Sequence, residues 1–465
     1  MSKAKRDLIE DIYPLSPLQQ GILFHTLYAP RSGMYFQQWD CTLRGTVDLQ
    51  AWQRAWQEVV TRHPVLRSAY VWERGDEPFQ VVYRRAKLPW DQQDWRGLLP
   101  TEQEERLAGL LDEDRARGFD LSRPPHMRMV IIRMAEQTYR FIWSYHQMSM
   151  DGWSRALIMK EAATFYEAFR RGEELQLRQP RPYRNYVVWL RNQDLHKAEA
   201  FWRKALKGFS EPTLLNPVRT PVRQPGAESD YQWRQTRLSK EVTALLQSLA
   251  RQHHLTLNTI VQGAWAIALS RHCGRQDVLF GVTVSGRPSV LSGVESMVGL
   301  FINTLPLRVQ VQPGASLIEW LKQLQSQHAE MREFEYSPLF QIQGWSDVPR
   351  NSLLFESVIV FENYPMNFDS QEAAKGFELI DVHAHEKTNY PLTVIAEPGS
   401  ALLLRLRYDC SQFDSGIITQ ALKHLTNLLE DIAANPEKHI SALSIIPEEE
   451  STCLASSFNV DLEAY

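Results

Sequence analysis

The most informative stretch of this chain is His146-Gln147-Met148-Ser149-Met150-Asp151-Gly152. Immediately before it, apolar side chains occupy every second position, which is typical of a strand; these are Phe141, Trp143 and Tyr145. Immediately after it, apolar residues recur at helical spacing; these are Ile158, Ala162, Phe165 and Phe169. We therefore expect a loop between a strand and a helix, where reactive groups often lie because the scaffold is rigid and the loop is accessible.

The residue types in this loop allow two interpretations. A histidine such as His146 can act as a base near neutral pH. Gly152 allows close approach of the backbone, and an amide N–H at a helix start can face a developing oxyanion. The same residues also suit structural roles, because His146 can end the strand as a hydrogen-bonded core residue and Asp151 can cap the helix. The residues alone leave both interpretations open.

The first half of the chain predicts helices and strands around this loop. Ser16 followed by Pro17 predicts an N-cap with proline in the first helical turn. A second helix is expected over 49–62, ending at His63 because the residue before a proline disfavours the helical region. Two strands are expected over 127–133 and 139–146.

The second half predicts the same alternation of helices and strands. Helices are expected over 186–206, 242–250 and 257–271. Strands are expected over 278–284, 307–311, 353–361 and 402–408, with Pro306 at a strand start or a sheet edge. The alternation indicates two α/β lobes. A proline-rich seam at 179–182 places the lobes at 1–180 and 181–450, with a connector at 451–465.

Composition excludes several classes of function. The chain has 465 residues and a net charge of −4, so it offers no basic field for nucleic acid. No run of about 18 apolar residues occurs, so we expect no membrane span. The four cysteines have no paired spacing, which argues against a metal site and a disulfide framework. A cytoplasmic location is expected.

The 146–152 segment resembles the core motif of nonribosomal peptide synthetase condensation domains: two histidines, three variable residues, then Asp-Gly. Other segments resemble further motifs of that family in the same order along the chain, which makes chance agreement remote. They are 16–25, 62–67, 183–190, 285–288, 297–304, 361–365 and 388–393. The tail at 458–465 resembles the linker that leads into an adenylation domain.

The resemblance implies an α/β fold of two chloramphenicol acetyltransferase-like lobes that form a V with a central tunnel. It implies an acyltransferase that forms an amide bond in antibiotic or siderophore biosynthesis. A donor peptidyl or aminoacyl thioester and an acceptor aminoacyl thioester would arrive on the phosphopantetheine arms of two peptidyl carrier proteins. The chain itself would bind no cofactor, and an adenylation domain would adjoin it.

The resemblance also implies roles for single residues. His146 would be structural, and Asp151 would pair with an arginine, with Arg287 the first candidate and Arg67 the second. Gly152 would offer its backbone N–H to the oxyanion of the tetrahedral intermediate. The next three residues would either line the substrate channel or cap and pack the helix; they are Trp153, Ser154 and Arg155.

Gln147 departs from the family pattern, because the family has its second histidine at that position. Glutamine does not titrate near neutrality, so it cannot act as a general base. We weigh three explanations: a deliberate substitution that traps substrates, a natural domain with impaired activity, and a domain in which positioning suffices. Two other interpretations remain open: a platform that docks carriers or tailoring enzymes, and a relative of the epimerisation type.

Overall fold

The computed structural model describes residues 8–30, 32–73, 77–215, 231–349, 352–363 and 376–446. The predicted connector at 451–465 and the end of the 361–365 motif lie outside these residues. The described chain divides into two compact units. The first unit comprises residues up to 193 together with 285–302 and 376–389, and the second comprises the remainder.

The first unit contains two sheets. Its strands are β1 Ile9–Pro14, β2 Phe36–Gly45, β3 Ser68–Val71, β4 Phe79–Tyr83, β5 Trp90–Asp94, β6 Met127–Ala135, β7 Thr138–His146 and β12 Phe377–Glu386. The larger sheet has the order β12-β2-β7-β6-β5, and the smaller has the order β1-β4-β3. The helices of this unit are α1 Pro17–Tyr28, α2 Leu49–Arg62, α3 Pro100–Arg117, α4 Gly152–Arg170 and α5 Arg184–Arg191.

Strand β7 lies in the middle of the larger sheet and is buried on both faces. Phe141, Trp143 and Tyr145 pack on one face, in a core shared with α2 and α4. Ile142 packs on the other face, together with Trp95. A central strand held on both faces is a rigid support for the loop that follows it.

The second unit contains a six-stranded sheet. Its strands are β8 Tyr231–Arg237, β9 Asp277–Val284, β10 Asn303–Gln310, β11 Ser357–Phe361, β13 Leu392–Glu397 and β14 Leu403–Asp409. Their order in the sheet is β10-β9-β11-β13-β14-β8. Its helices are α6 Leu195–Ala205, α7 Lys240–Gln252, α8 Leu257–Cys273, α9 Leu317–Arg332, α10 Leu339–Trp345 and α11 Ser415–Ala434. The apolar α8 is buried in its core.

Most of the predicted elements are confirmed, and three need correction. The helix expected over 186–206 is two helices, because Asp194 breaks it and caps α6 with its side chain. The strand expected from 307 starts at Asn303, so Pro306 lies inside it, but β10 is an edge strand as predicted. The strand expected from 353 starts only at Ser357.

The boundary between the two units differs from the boundary predicted at residue 180. The chain leaves the first unit after residue 193, and two segments of the second half belong to that unit. One contains β12, which is hydrogen-bonded along β2. The other segment contributes Met297 and Phe301 to the main hydrophobic core of the first unit. The proline-rich seam marks a change in composition, whereas the units follow hydrogen bonds and packing between distant segments.

Among the helices of the described residues, none is long and apolar enough to cross a membrane.

Candidate active site

The 146–152 segment connects β7 to α4, as the sequence predicts. His146 is the last residue of the strand, and a short 3-10 turn covers Gln147–Ser149. Asp151 is the N-cap of α4, and Gly152 is its first residue. The loop is therefore short and anchored at both ends.

His146 is buried and neutral. Its Nδ1 accepts a hydrogen bond from the Met148 N–H at 3.3 Å, and its backbone N–H donates to the His126 carbonyl at 2.9 Å. Burial, together with the nearby His126, lowers the pKa of His146 to about 3. An imidazole with such a pKa is a weak base at neutral pH, so the geometry favours the structural interpretation of this residue.

Asp151 combines a helix cap with a buried ion pair. One carboxylate oxygen accepts from the Ser154 N–H at 2.8 Å and lies 3.3 Å from Arg287 Nη2. The other accepts from the Phe301 N–H at 3.0 Å. Both side chains of the pair are at most 4% exposed. A buried carboxylate needs such partners because an unpaired charge is costly to desolvate.

The sequence leaves two arginines as candidates for pairing with Asp151, and the structure places Arg287 beside it. Arg287 also donates to the carbonyls of Val294 and Met297, at 2.6 and 2.9 Å. Arg67 lies elsewhere, 2.7 Å from Glu10. Arg67 therefore supports the smaller sheet, since Glu10 belongs to β1.

Gln147 is half-buried between the buried His146 and Met148. Its backbone N–H donates to the Tyr35 carbonyl at 2.9 Å, and its carbonyl accepts from the Met150 N–H at 3.2 Å. Its side-chain Oε1 accepts from Gln37 Nε2 at 3.3 Å. Both its backbone and its amide are thus fixed.

Two side chains hold the middle of the loop through one carbonyl. The Met148 carbonyl accepts from Gln19 Nε2 and from the Tyr70 hydroxyl, each at 3.0 Å. Gln19 lies in the 16–25 motif, so the sequence offered a signal for it. Tyr70 and Gln37 carry no such signal, because their neighbours along the chain do not predict contact with residue 148 or 147.

The residues that open α4 are packed to different degrees. Ser154 is fully buried, and its hydroxyl donates to the Gly299 carbonyl at 2.8 Å and accepts from Arg287 Nη2 at 2.9 Å. Arg155 is buried beside Trp39, with its guanidinium carbon 3.7 Å from the ring centre. Trp153 is partly exposed and donates to the Glu295 carbonyl at 2.9 Å. For Ser154 and Arg155 the geometry favours the packing interpretation.

Gly152 places its backbone N–H at the start of α4. It is partly exposed, whereas Asp151 before it is buried. The Asp151 carboxylate uses the N–H of Ser154, and the first N–H groups of a helix have no intrahelical partner. These groups also carry the positive end of the helix dipole, which favours negative charge.

No group of three or more histidine, cysteine, aspartate or glutamate side chains that could hold a metal ion occurs in the described residues. At the 146–152 loop, amide, imidazole and backbone groups surround the buried ion pair of Asp151 and Arg287.

Comparison with known proteins places the chain in a family. The profile of the family described as Condensation domain matches residues 9–455. One of the linear gramicidin synthase proteins of Brevibacillus parabrevis is 43% identical over 451 residues, which cover 97% of this chain and 6% of that protein. Bacitracin synthase 3 of Bacillus licheniformis is 35% identical over 455 residues, which cover 97% of this chain and 7% of that protein. The chain thus spans a small fraction of these relatives' length.

Solved structures share the fold. A four-domain nonribosomal peptide synthetase bound to AMP and glycine has a TM-score of 0.79 and 17% identity, covering 95% of this chain and 34% of that one. The first condensation domain of the calcium-dependent antibiotic synthetase has a TM-score of 0.77 and 18% identity, covering 94% and 99%. These likenesses confirm the predicted α/β fold of the chloramphenicol acetyltransferase kind. Because the family profile matches residues 9–455 and these synthase relatives align over 97% of the chain, this chain belongs to the condensation-domain family of nonribosomal peptide synthetases.

Proposed function

We propose that this chain forms an amide bond between two substrates that carrier proteins deliver on phosphopantetheine arms. The amine of the acceptor aminoacyl thioester attacks the carbonyl carbon of the donor thioester. The new C–N bond forms, the donor C–S bond breaks, and the amine's proton leaves with the released thiol. The donor and acceptor carriers, an adjoining adenylation domain and a cytoplasmic location are parts of this proposal. The V-shaped arrangement and its tunnel remain predictions.

One observation carries the proposal: a half-buried side chain at position 147 lies between two fully buried anchors, His146 and Asp151. The anchors fix the loop at the end of β7 and the start of α4. In this proposal the side chain of Gln147 meets the reacting groups, and the Gly152 N–H stabilises the oxyanion. His146, Asp151 and Arg287 hold the loop in place.

Position 147 limits the rate in this proposal. Glutamine cannot take the proton of the attacking amine. Holding two tethered substrates together still supplies much of the rate enhancement, so activity is reduced rather than abolished. We expect Gln147→His to raise the condensation rate about 10²-fold or more, the usual effect of an acid–base group.

The test is a single-turnover assay with a loaded donor carrier and a loaded acceptor carrier. Gln147→Asn is the matched control, since it keeps an amide and adds no base, and it should not raise the rate. Equal rates for the parent chain and Gln147→His would contradict the role of a base at this position.

Gln147 also favours a second candidate, a platform that docks carriers or tailoring enzymes without catalysis. This candidate predicts that carriers bind but that neither the parent chain nor Gln147→His gives product. An epimerisation-type relative would instead exchange the Cα hydrogen of one loaded aminoacyl carrier with D₂O, without any acceptor. Product formation by Gln147→His would exclude the platform.

A further inference from the structure

We infer that Gln37 is a positioning residue for the side chain at position 147. Through its hydrogen bond, Gln37 determines whether that side chain offers a donor or an acceptor to the substrates. The inference rests on the proposed function, because it concerns the side chain that this function places at the reacting groups. It adds a residue on a distant strand that the core motif does not contain.

Gln37 is held firmly. It is the second residue of β2 and only 4% exposed. It lies opposite Tyr145 in β7 and opposite Glu386 in β12, so neighbouring strands flank it on both sides. Its Nε2 reaches Gln147 Oε1 at 3.3 Å. The two neighbouring strands fix the backbone of Gln37, and its terminal amide can present either a donor or an acceptor to a more exposed partner.

This contact determines which end of the Gln147 amide remains available. The Oε1 atom is engaged by Gln37. Among the hydrogen bonds of the described residues, none uses the Nε2 hydrogens of Gln147. Position 147 therefore presents N–H donors. Donors suit the carbonyl oxygen of the donor thioester, whereas the attacking amine needs an acceptor for its hydrogens.

The same contact would control a histidine at this position. If the Gln37 amide donates to the ring nitrogen that faces it, the other ring nitrogen carries the proton and cannot act as a base. If the amide turns and presents its oxygen, the facing nitrogen keeps its proton and the other becomes basic. Gln37 thus sets the tautomer of an imidazole introduced at position 147.

The charged groups around the pair are already paired with each other. Glu386 of β12 lies 3.1 Å from Arg155 of α4, and Asp151 lies 3.3 Å from Arg287. Tyr145 of β7 is neutral, because burial raises its pKa to about 12, and His146 is neutral as well. A carboxylate introduced at position 37 would therefore add a negative charge beside position 147.

The experiment measures the imidazole introduced by Gln147→His, by nitrogen-15 NMR across a pH series, in the whole chain. We expect Gln37→Glu to raise its titration midpoint by about one unit or more, because a nearby carboxylate favours the charged imidazole. We expect Gln37→Met, which has a similar volume and no charge, to change its tautomer ratio. Gln37→Met gives a readable result even if the buried carboxylate of Gln37→Glu prevents folding.

Gln38→Met in the same background is the matched control. Gln38 has the same residue type, lies on the same strand and is 2% exposed, but it faces the opposite side of the sheet and binds Asp114 at 2.8 Å. Its replacement should leave the midpoint and the tautomer ratio unchanged. An unchanged midpoint and tautomer ratio in the Gln37 variants, or equal changes with Gln38→Met, would overturn the inference.

An activity measurement separates this inference from the proposed function. With glutamine at 147, Gln37→Met should lower the single-turnover rate about five-fold, the effect of one hydrogen bond of about 1 kcal/mol. The same change should have no effect in a Gln147→Ala chain. The NMR titration needs no carriers, so a chain without any condensation activity would refute the proposed function while the effect of Gln37 could still be measured.

Discussion

Two connections from a strand to a helix, one in each unit, look alike in sequence and differ in structure. In the first unit β7 leads to α4, which Asp151 caps; in the second β14 leads to α11, which Asp414 caps. Asp414 is exposed and accepts from the Gly416 N–H at 2.7 Å. Asp151 is buried and also binds Arg287 and the Phe301 N–H.

The difference shows what distinguishes a loop held by distant parts of the chain from a simple helix cap. The partner of Asp414 lies two residues away, whereas Arg287 and Phe301 lie 136 and 150 residues from Asp151. A cap stabilises the start of its own helix. The Asp151 contacts also join α4 to a segment of the second half of the sequence, and so they fix the loop that carries Gln147.

The largest effect is expected from Asp151→Ala. This change leaves the Arg287 guanidinium buried without its carboxylate, and breaking a buried pair in this way costs about 3–5 kcal/mol of unfolding free energy. Urea denaturation measures the loss. A loss of only about 1 kcal/mol would mean that Asp151 is a simple cap like Asp414.

A double-mutant cycle tests the contrast further. Arg287→Met alone leaves the Asp151 carboxylate buried without a cation, whereas adding Asp151→Asn removes that charge and keeps a side-chain oxygen for the cap. The two changes should therefore couple by about 0.5–3 kcal/mol, the range for residues in contact. The same cycle with Arg67→Met in place of Arg287→Met should be additive, because Arg67 pairs with Glu10.

The pH dependence of the unfolding free energy should also distinguish the connection from β7 to α4 from that between β14 and α11, because the first begins at the buried His146. The pKa of His146 is lowered to about 3 and that of His126 to about 4, both chiefly by burial. Since the pKa of an unfolded histidine is about 6.5, the unfolded chain binds more protons between these values. The unfolding free energy should thus be highest above about pH 6.5 and fall as the pH drops toward about 4.

Each of these histidines contributes a slope of up to about 1.4 kcal/mol per pH unit in that window. His146→Asn should remove one such contribution between about pH 6 and about pH 4.5, as measured by urea denaturation at a series of pH values. An unaltered slope in His146→Asn would show that His146 does not remain neutral in the folded chain.

The smallest effect is expected from Asp414→Ala. It removes one side-chain acceptor at an exposed helix start, which typically costs about 1 kcal/mol. Asp414→Asn keeps that acceptor and should restore most of the loss. A loss as large as that of Asp151→Ala would remove the distinction between the two connections.

Patterns among neighbouring residues were enough to predict the local elements of this protein. The cap at Ser16, the end of α2 at His63 and the stripe on α4 depend on residues within a few positions of one another, and all are present. The order of short motifs predicted the family. Such features are visible in the sequence because helix caps and apolar periodicity are properties of neighbours along the chain.

The distant groups that meet at the loop could be identified only from the folded chain. The sequence offered both Arg287 and Arg67 to Asp151, and it gave no reason to connect Gln37 with Gln147 or β12 with β2. Each of the contacts that form joins segments more than 100 residues apart. Their choice depends on how whole strands pair and cores pack, which no pattern within one segment contains.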